Sequence, residues 1–164
     1  MQVLSTLANS QKTFDAAALA FDFMSSSDSI AFQYIFASEE YPEFVNRNVN
    51  DVFAFILVDL ENGTKQNLAT LPDGKTPICV DAINHMSNSK YFNLNAKWQK
   101  DDIDKWKQKP KLGESALLLE FDGFTTILNA GAKIRPNTKY RLVLAIADVG
   151  DDVYDSAIFL KANS

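Results

Sequence analysis

The sequence predicts an all-β protein, an antiparallel β-sandwich of jelly-roll type. Apolar residues recur at period two, and no stretch shows sustained helical periodicity. Clusters of Gly, Pro, Asn and Asp separate the apolar stretches at short intervals. Twelve Phe and five Tyr stand against three Met, a balance that suits strands better than a helical bundle. Many short strands with turns between them make the pattern of a sandwich. At 164 residues the chain can bury a substantial core as one domain, so a single sandwich over residues 1–164 is expected.

Met1 to Asp15 is short and mixed. Ala16 to Met24 carries Leu19, Phe21 and Phe23 at period two, which predicts a strand with one apolar face. Ser25 to Ser29 is a turn cluster. Ile30 to Ala37 alternates again, with Ile30, Phe32, Tyr34 and Phe36 on one face. Ser38 to Asn50 reads as a long polar loop, and Val52 to Asp59 as an apolar strand closed by the Glu61-Asn62-Gly63 turn. Gln66 to Leu71 and Thr76 to Val80 read as short strands around Pro72-Asp73-Gly74. Asn84 to Asn95 is rich in Asn and Ser. Residues 96–111 form a charged surface insertion holding Trp98 and Trp106, with a helical turn expected near Asp101 to Trp106. Strands resume at Ala116 to Phe121, Phe124 to Ala130, Lys139 to Asp148 and Ser156 to Ala162.

Composition narrows the function. A hydrophobic content of 46% with 23% charged residues is that of a folded domain, not a disordered one. The net charge of −5 argues against nucleic acid, whose phosphates call for a clustered basic face. No apolar run approaches bilayer-spanning length, so no direct membrane insertion is expected. Cys79 is the only cysteine, which rules out an intramolecular disulfide. His85 is the only histidine and sits in Ile83-Asn84-His85-Met86, poor ground for a nucleophile–base pair or a zinc site.

Acids crowd the ends of apolar strands in two loops. The first runs Ser38-Glu39-Glu40-Tyr41-Pro42-Glu43-Phe44-Val45-Asn46-Arg47-Asn48-Val49-Asn50-Asp51. The second is Asp148-Val149-Gly150-Asp151-Asp152-Val153-Tyr154-Asp155. Adjacent carboxylates repel unless something neutralises them. Calcium is one neutraliser, because it takes about 6–8 oxygens from carboxylates, amides, backbone carbonyls and water. Neither loop has EF-hand spacing. Solvated turns rich in Asp are the plain alternative. A hydrolase could pair Glu40 with an aspartate of the second loop, and Trp98 or Trp106 could stack on a carbohydrate.

Phe36-Ala37-Ser38-Glu39-Glu40-Tyr41-Pro42-Glu43-Phe44, continuing to Asn50-Asp51-Val52-Phe53-Ala54-Phe55, resembles the signature of the choice-of-anchor L domain family. So do Asp15-Ala16-Ala17 with Phe21-Asp22-Phe23, Asp122-Gly123-Phe124-Thr125, and the stretch from Leu144 to Leu160. The resemblance implies a calcium-bearing β-sandwich from a larger secreted or surface-anchored bacterial protein, akin to peptide-binding modules of repeats-in-toxin adhesins. It implies an extracellular, non-enzymatic module that captures a peptide or protein ligand, in those relatives through a free C-terminus, for attachment to another cell or host surface. A monomeric module is expected on separate grounds, since no long apolar stripe is left over once the strands are assigned. Carried over by position, it implies Glu39, Glu40, Asn50, Asp51, Asp148, Asp151 and Asp155 as calcium ligands, with Asp15 and Asp22 as further candidates. Tyr41, Phe44 and Tyr154 sit beside those acids and are the implied ligand-binding aromatics. Other readings stay open: a carbohydrate-binding module, or a spacer that calcium only stiffens.

Overall fold

The computed structural model describes residues 12–95, 119–150 and 153–162, and these form a β-sandwich. Strands β1 (Thr13–Met24), β2 (Ser29–Ser38) and β3 (Val52–Asp59) fall where the alternation places them. They are followed by β4 (Lys65–Asn67), β5 (Phe92–Leu94), β6 (Gly123–Thr125), β7 (Leu128–Lys133), β8 (Lys139–Val149) and β9 (Ser156–Leu160). One sheet has the order β1-β8-β3-β4. In the other, β2 is central: β7 and β6 line one side of it end to end, β9 pairs with the other side, and β5 extends the sheet beyond β6. Every pairing is antiparallel. The nested neighbours β1–β8 and β2–β7 are of jelly-roll kind.

The core forms where β2 faces β3. Tyr34 packs edge-on to Phe53 and Phe55, with ring centroids 5.5 and 4.8 Å apart. Phe32 meets Phe55 at 5.1 Å and Phe36 stacks on Phe53 at 5.2 Å. Such pairs add roughly 0.5–1.5 kcal/mol each beyond the area they bury. The unbroken apolar run of β3 follows from burial on both faces. Phe53, Phe55 and Leu57 enter this core, while Val52, Ala54 and Ile56 join a second cluster with Ala147 and Val149.

Four expectations are corrected. The stretch from Gln66 to Leu71 stays a strand only through Asn67, because the Asn67 Oδ1 accepts the N–H of Phe55 and of Ala69 and takes over the ladder's role. Thr76 to Val80 is no strand. It makes only single bridges, Thr70 to Pro77 and Val52 to Cys79, and Pro77 lacks a donor for a longer ladder. Phe124 to Ala130 is broken at Thr126–Ile127, where Thr126 N–H turns aside to the Tyr91 carbonyl. Residues 119–121, the described end of the stretch expected from Ala116 to Phe121, are not strand. Strand β5 and the short 3-10 turn before it, Ser89–Tyr91, were not expected within the Asn/Ser-rich stretch. The charged insertion at 96–111, with its expected helical turn, lies outside the described residues.

Asp59 ties the β3–β4 hairpin to the chain entering β8. Its carboxylate accepts the N–H of Glu61 and of Asn62 and both oxygens accept the Arg135 guanidinium, at 3.1 and 2.9 Å. Burial favours the neutral carboxyl, but Arg135 and the two amides outweigh it and hold Asp59 below the usual carboxylate range. A depressed native value means that the contribution is whole above the unfolded value of about 3.9 and is lost as pH falls through the native one. Denaturant titrations should therefore show stability declining below about pH 4, and less steeply in Asp59→Asn than in the wild type.

The Tyr34 hydroxyl presents a different case: the residue is 1% exposed and the hydroxyl has no hydrogen-bond partner among the described residues. Burial alone pushes that phenol's pKa up. Tyr34→Phe removes an unsatisfied group without removing a ring. Urea unfolding should give a variant equal to the wild type or more stable by up to about 1 kcal/mol.

Candidate functional site

Both acidic loops cross from one sheet to the other, and they do so at the same end. The first joins β2 to β3 and the second joins β8 to β9. The strand registers then set acid against acid. Ser38 pairs with Ser156, and one residue further the Glu39 N–H donates to the Asp155 carbonyl at 3.0 Å, while Asp155 N–H donates to Glu39 Oε2 at 3.4 Å. Val52 pairs with Ala147, so one residue further Asp51 stands across from Asp148. Like charges directly opposite are destabilising.

Burial differs among these acids. Glu40 and Asp51 are each 1% exposed and Asp148 is 8% exposed, whereas Asp155 is open to solvent. Asp51 Oδ2 accepts the hydroxyls of Ser38, at 3.3 Å, and Ser156, at 2.5 Å. The Ser38 Oγ in turn accepts the Glu40 N–H at 3.0 Å, so one serine links two buried acids. Asn50 Oδ1 accepts the Asp81 N–H at 3.0 Å, and its own N–H donates to the Val149 carbonyl, fastening one loop to the other. Asp151 lies outside the described residues. Asp22 lies far along β1, paired with Arg141 at 2.6 Å, and Asp15 is exposed at a bulge with φ +40°.

The aromatic candidates divide. Phe44 and Tyr154, both half-buried, pack against each other across the two loops with centroids 5.2 Å apart. Tyr41 is wholly buried; its hydroxyl donates to the Ile83 carbonyl at 2.7 Å and its ring packs on Phe92 at 4.8 Å. It seats the first loop in the core and presents no surface to a ligand. Burial first, then the nearby Cys79, Asp51 and Asp81, push its phenol well above the ordinary range. A Cβ on Gly123 would stand 2.8 Å from the Tyr41 side chain, so only glycine lets β6 pass there.

Ser38, Ser156 and Asp81 belong to this end although composition did not single them out. Asp81 accepts the Asn46 N–H at 2.6 Å and holds the turn of the first loop. The paired placement of serines before one acidic loop and after the other was the only signal for the first two.

The acids, serines and amides of this end offer oxygen donors, the chemistry that suits calcium. Among the described residues, however, no three Asp, Glu, His or Cys groups converge tightly enough to hold one ion. Any calcium would therefore draw also on hydroxyl, amide or backbone oxygens and on water.

Taken together, the fold and the site define a β-sandwich module whose distinctive chemistry lies on paired sheet-crossing loops at one end. The chain belongs to the Choice-of-anchor L domain family, whose model matches residues 2–164. Membership implies a domain of a cell-surface or extracellular bacterial protein. No curated protein and no solved structure matches the chain.

Gly150 locks the two loops together. Its φ is +101°, and a Cβ there would stand 2.6 Å from the Asn48 carbonyl and 2.9 Å from Val49 Cγ1. Gly150→Ala combines backbone strain with that collision, so thermal or denaturant unfolding should show a loss of about 2–4 kcal/mol.

Proposed function

We propose that this domain is a calcium-dependent binding module, not an enzyme, and that its crossover end captures a peptide or protein ligand for cell attachment. The carrying observation is the pair of acid-on-acid registers, Glu39 with Asp155 and Asp51 with Asp148, together with the burial of Glu40, Asp51 and Asp148. Crowding carboxylates at one partly buried end carries a standing electrostatic cost, which a divalent cation lowers. Asp51, with Asp148 across from it in the strand register, would lend it carboxylate oxygen, with serine hydroxyl, amide, backbone and water oxygens completing the shell. A bound cation would order the loops and turn a surface that repels anions into one that accepts a carboxylate.

One catalytic arrangement, a cysteine–histidine pair, is disfavoured by the state of its two groups. Burial pushes the Cys79 thiol up and the His85 imidazole down. Both shifts run against an activated thiolate–imidazolium pair.

Calcium at about one hundred times its Kd stabilises the native state by about 2.7 kcal/mol, a rise of about 5–10 °C in Tm for a domain this size. Melting in EDTA and then in calcium should show that rise in the wild type and little of it in Asp51→Asn. Fluorescently labelled peptides should then bind only with calcium present, and amidation of a free C-terminus should abolish binding. An unchanged Tm at millimolar calcium removes the metal, and with it this account of the crossover end.

A further inference from the structure

The two sheets do not match in width. Ring contacts set β2 over β3, and Ile158 and Leu160 of β9 share one cavity with Leu144 and Ile146 of β8. That alignment places β9 over β8 and leaves β1, the next strand out, with no strand facing it among the described residues. The β1 register shows what this exposes. Leu19 pairs with Leu144 and Phe21 with Leu142, and both partners belong to the inward face. Leu19 is nevertheless 61% exposed and Phe21 45%. These are core-facing residues without a cover.

The uncovered space is a groove of about 370 Å³, lined on one side by Ala17 and Leu19, on the other by Ile158 and Leu160, and floored by Ile146. Along its length β9 pairs only with β2 among the described residues, so the far backbone edge of β9 has no ladder partner there. On the opposite face of β9, Phe159 joins Phe121 and Phe124 around a second, smaller apolar hollow. That hollow lies inboard, over β2, so the position beside the far edge of β9 offers main-chain hydrogen bonds with apolar surface on its inner face.

We propose that this slot takes one extended segment of a partner protein, apolar at alternate positions, which adds as a strand to the free edge of β9 beneath β1. The shape selects a lone strand over a second copy of the chain. In a twofold antiparallel pairing of two β9 edges, the incoming copy brings its own β8 over its β9, into the place β1 already holds. The area points the same way. A strand matching the five residues of β9 buries far less than the roughly 1,200 Å² of a stable dimer interface. Such a strand binds weakly when free and is held well when it belongs to a neighbouring tethered domain. The inference stands apart from the calcium reading, since neither β1 nor β9 residues of the groove belong to the acidic loops.

The probe is an acetylated, amidated heptapeptide alternating valine and threonine, titrated into the intact chain in EDTA and followed by amide hydrogen exchange. Saturable binding with slowed exchange at Ala157 to Leu160 is expected. Leu19→Asp, at an exposed position, should weaken it at least about tenfold. Ile127→Asp, 55% exposed on the far side, should leave it unchanged. A proline-interrupted peptide should not bind. No binding at millimolar peptide overturns the proposal, as does binding indifferent to Leu19→Asp. Exchange at β9 already slow in the free protein at every concentration also overturns it, because the chain then covers its own slot. Protection that grows with protein concentration overturns it in favour of a second copy.

Discussion

The packing of the β2 rings on the β3 rings is the constraint from which the rest follows. Tyr34 and Phe36 lie in one sheet, Phe53 and Phe55 in the other, and only residues 39–51 separate the two strands in sequence. That segment must cross from sheet to sheet at one end. Because β8 pairs with β3 and β9 with β2, the connection from β8 to β9 must cross at the same end. The acids meet because their loops are crossovers, not because the loops attract. The same ring contacts fix the lateral offset of the sheets, which is why β9 falls over β8 and β1 overhangs.

Elsewhere the molecule uses acids differently. Asp22 is matched to Arg141, Asp28 to Lys133 and Asp59 to Arg135, and Asp73 accepts the Thr76 hydroxyl and two backbone N–H groups of its own turn. Each of these carboxyls is held below the ordinary carboxylate range by such neighbours. Exposed pairs of this kind add little stability. They show what a settled structural acid looks like in this chain. At the crossover end register sets Asp51, which the Ser38 and Ser156 hydroxyls hold, against Asp148, and Glu39 against Asp155. An arrangement that raises the cost of the folded state at one place fits a site completed by a ligand.

How much of this could be read from the sequence depended on the range of the interaction. Period-two alternation is local, so β1, β2 and β8 were legible, and the continuous run of β3 signalled burial on both faces. Where a side chain replaces the backbone ladder the signal fails, as at Asn67. Strand β5, three residues long in a polar stretch, carries too little pattern to be seen. The acidic loops were legible as loops, but that they meet at one end depends on the pairing of β9 with β2 and of β8 with β3, which no local pattern shows. The burial of Tyr41 was not legible, since an aromatic beside acids reads alike whether it seats a loop or lines a groove. Nor could sequence show that Leu19 and Phe21 lack cover. Their pattern is that of core residues, and whether a core face is covered depends on how many strands the opposite sheet contains.

The two neighbouring edges β1 and β9, each paired on one side only among the described residues, are not alike. Strand β1 carries features that discourage strand addition: a bulge in its pairing with β8 between Phe14 and Ala17, an aspartate with φ +40° within it, and the Asp22–Arg141 cross-strand ion pair further on. Strand β9, Ser-Ala-Ile-Phe-Leu over 156–160, has no charge, no proline and no bulge in its pairing with β2. An edge left open by accident would be the one that needed such features most. The contrast is intelligible if β1 must refuse a strand while β9 must accept one. The overhang of β1 then serves as a roof, limiting the entrant to a single strand and protecting the apolar face of β9 from sheet-to-sheet association.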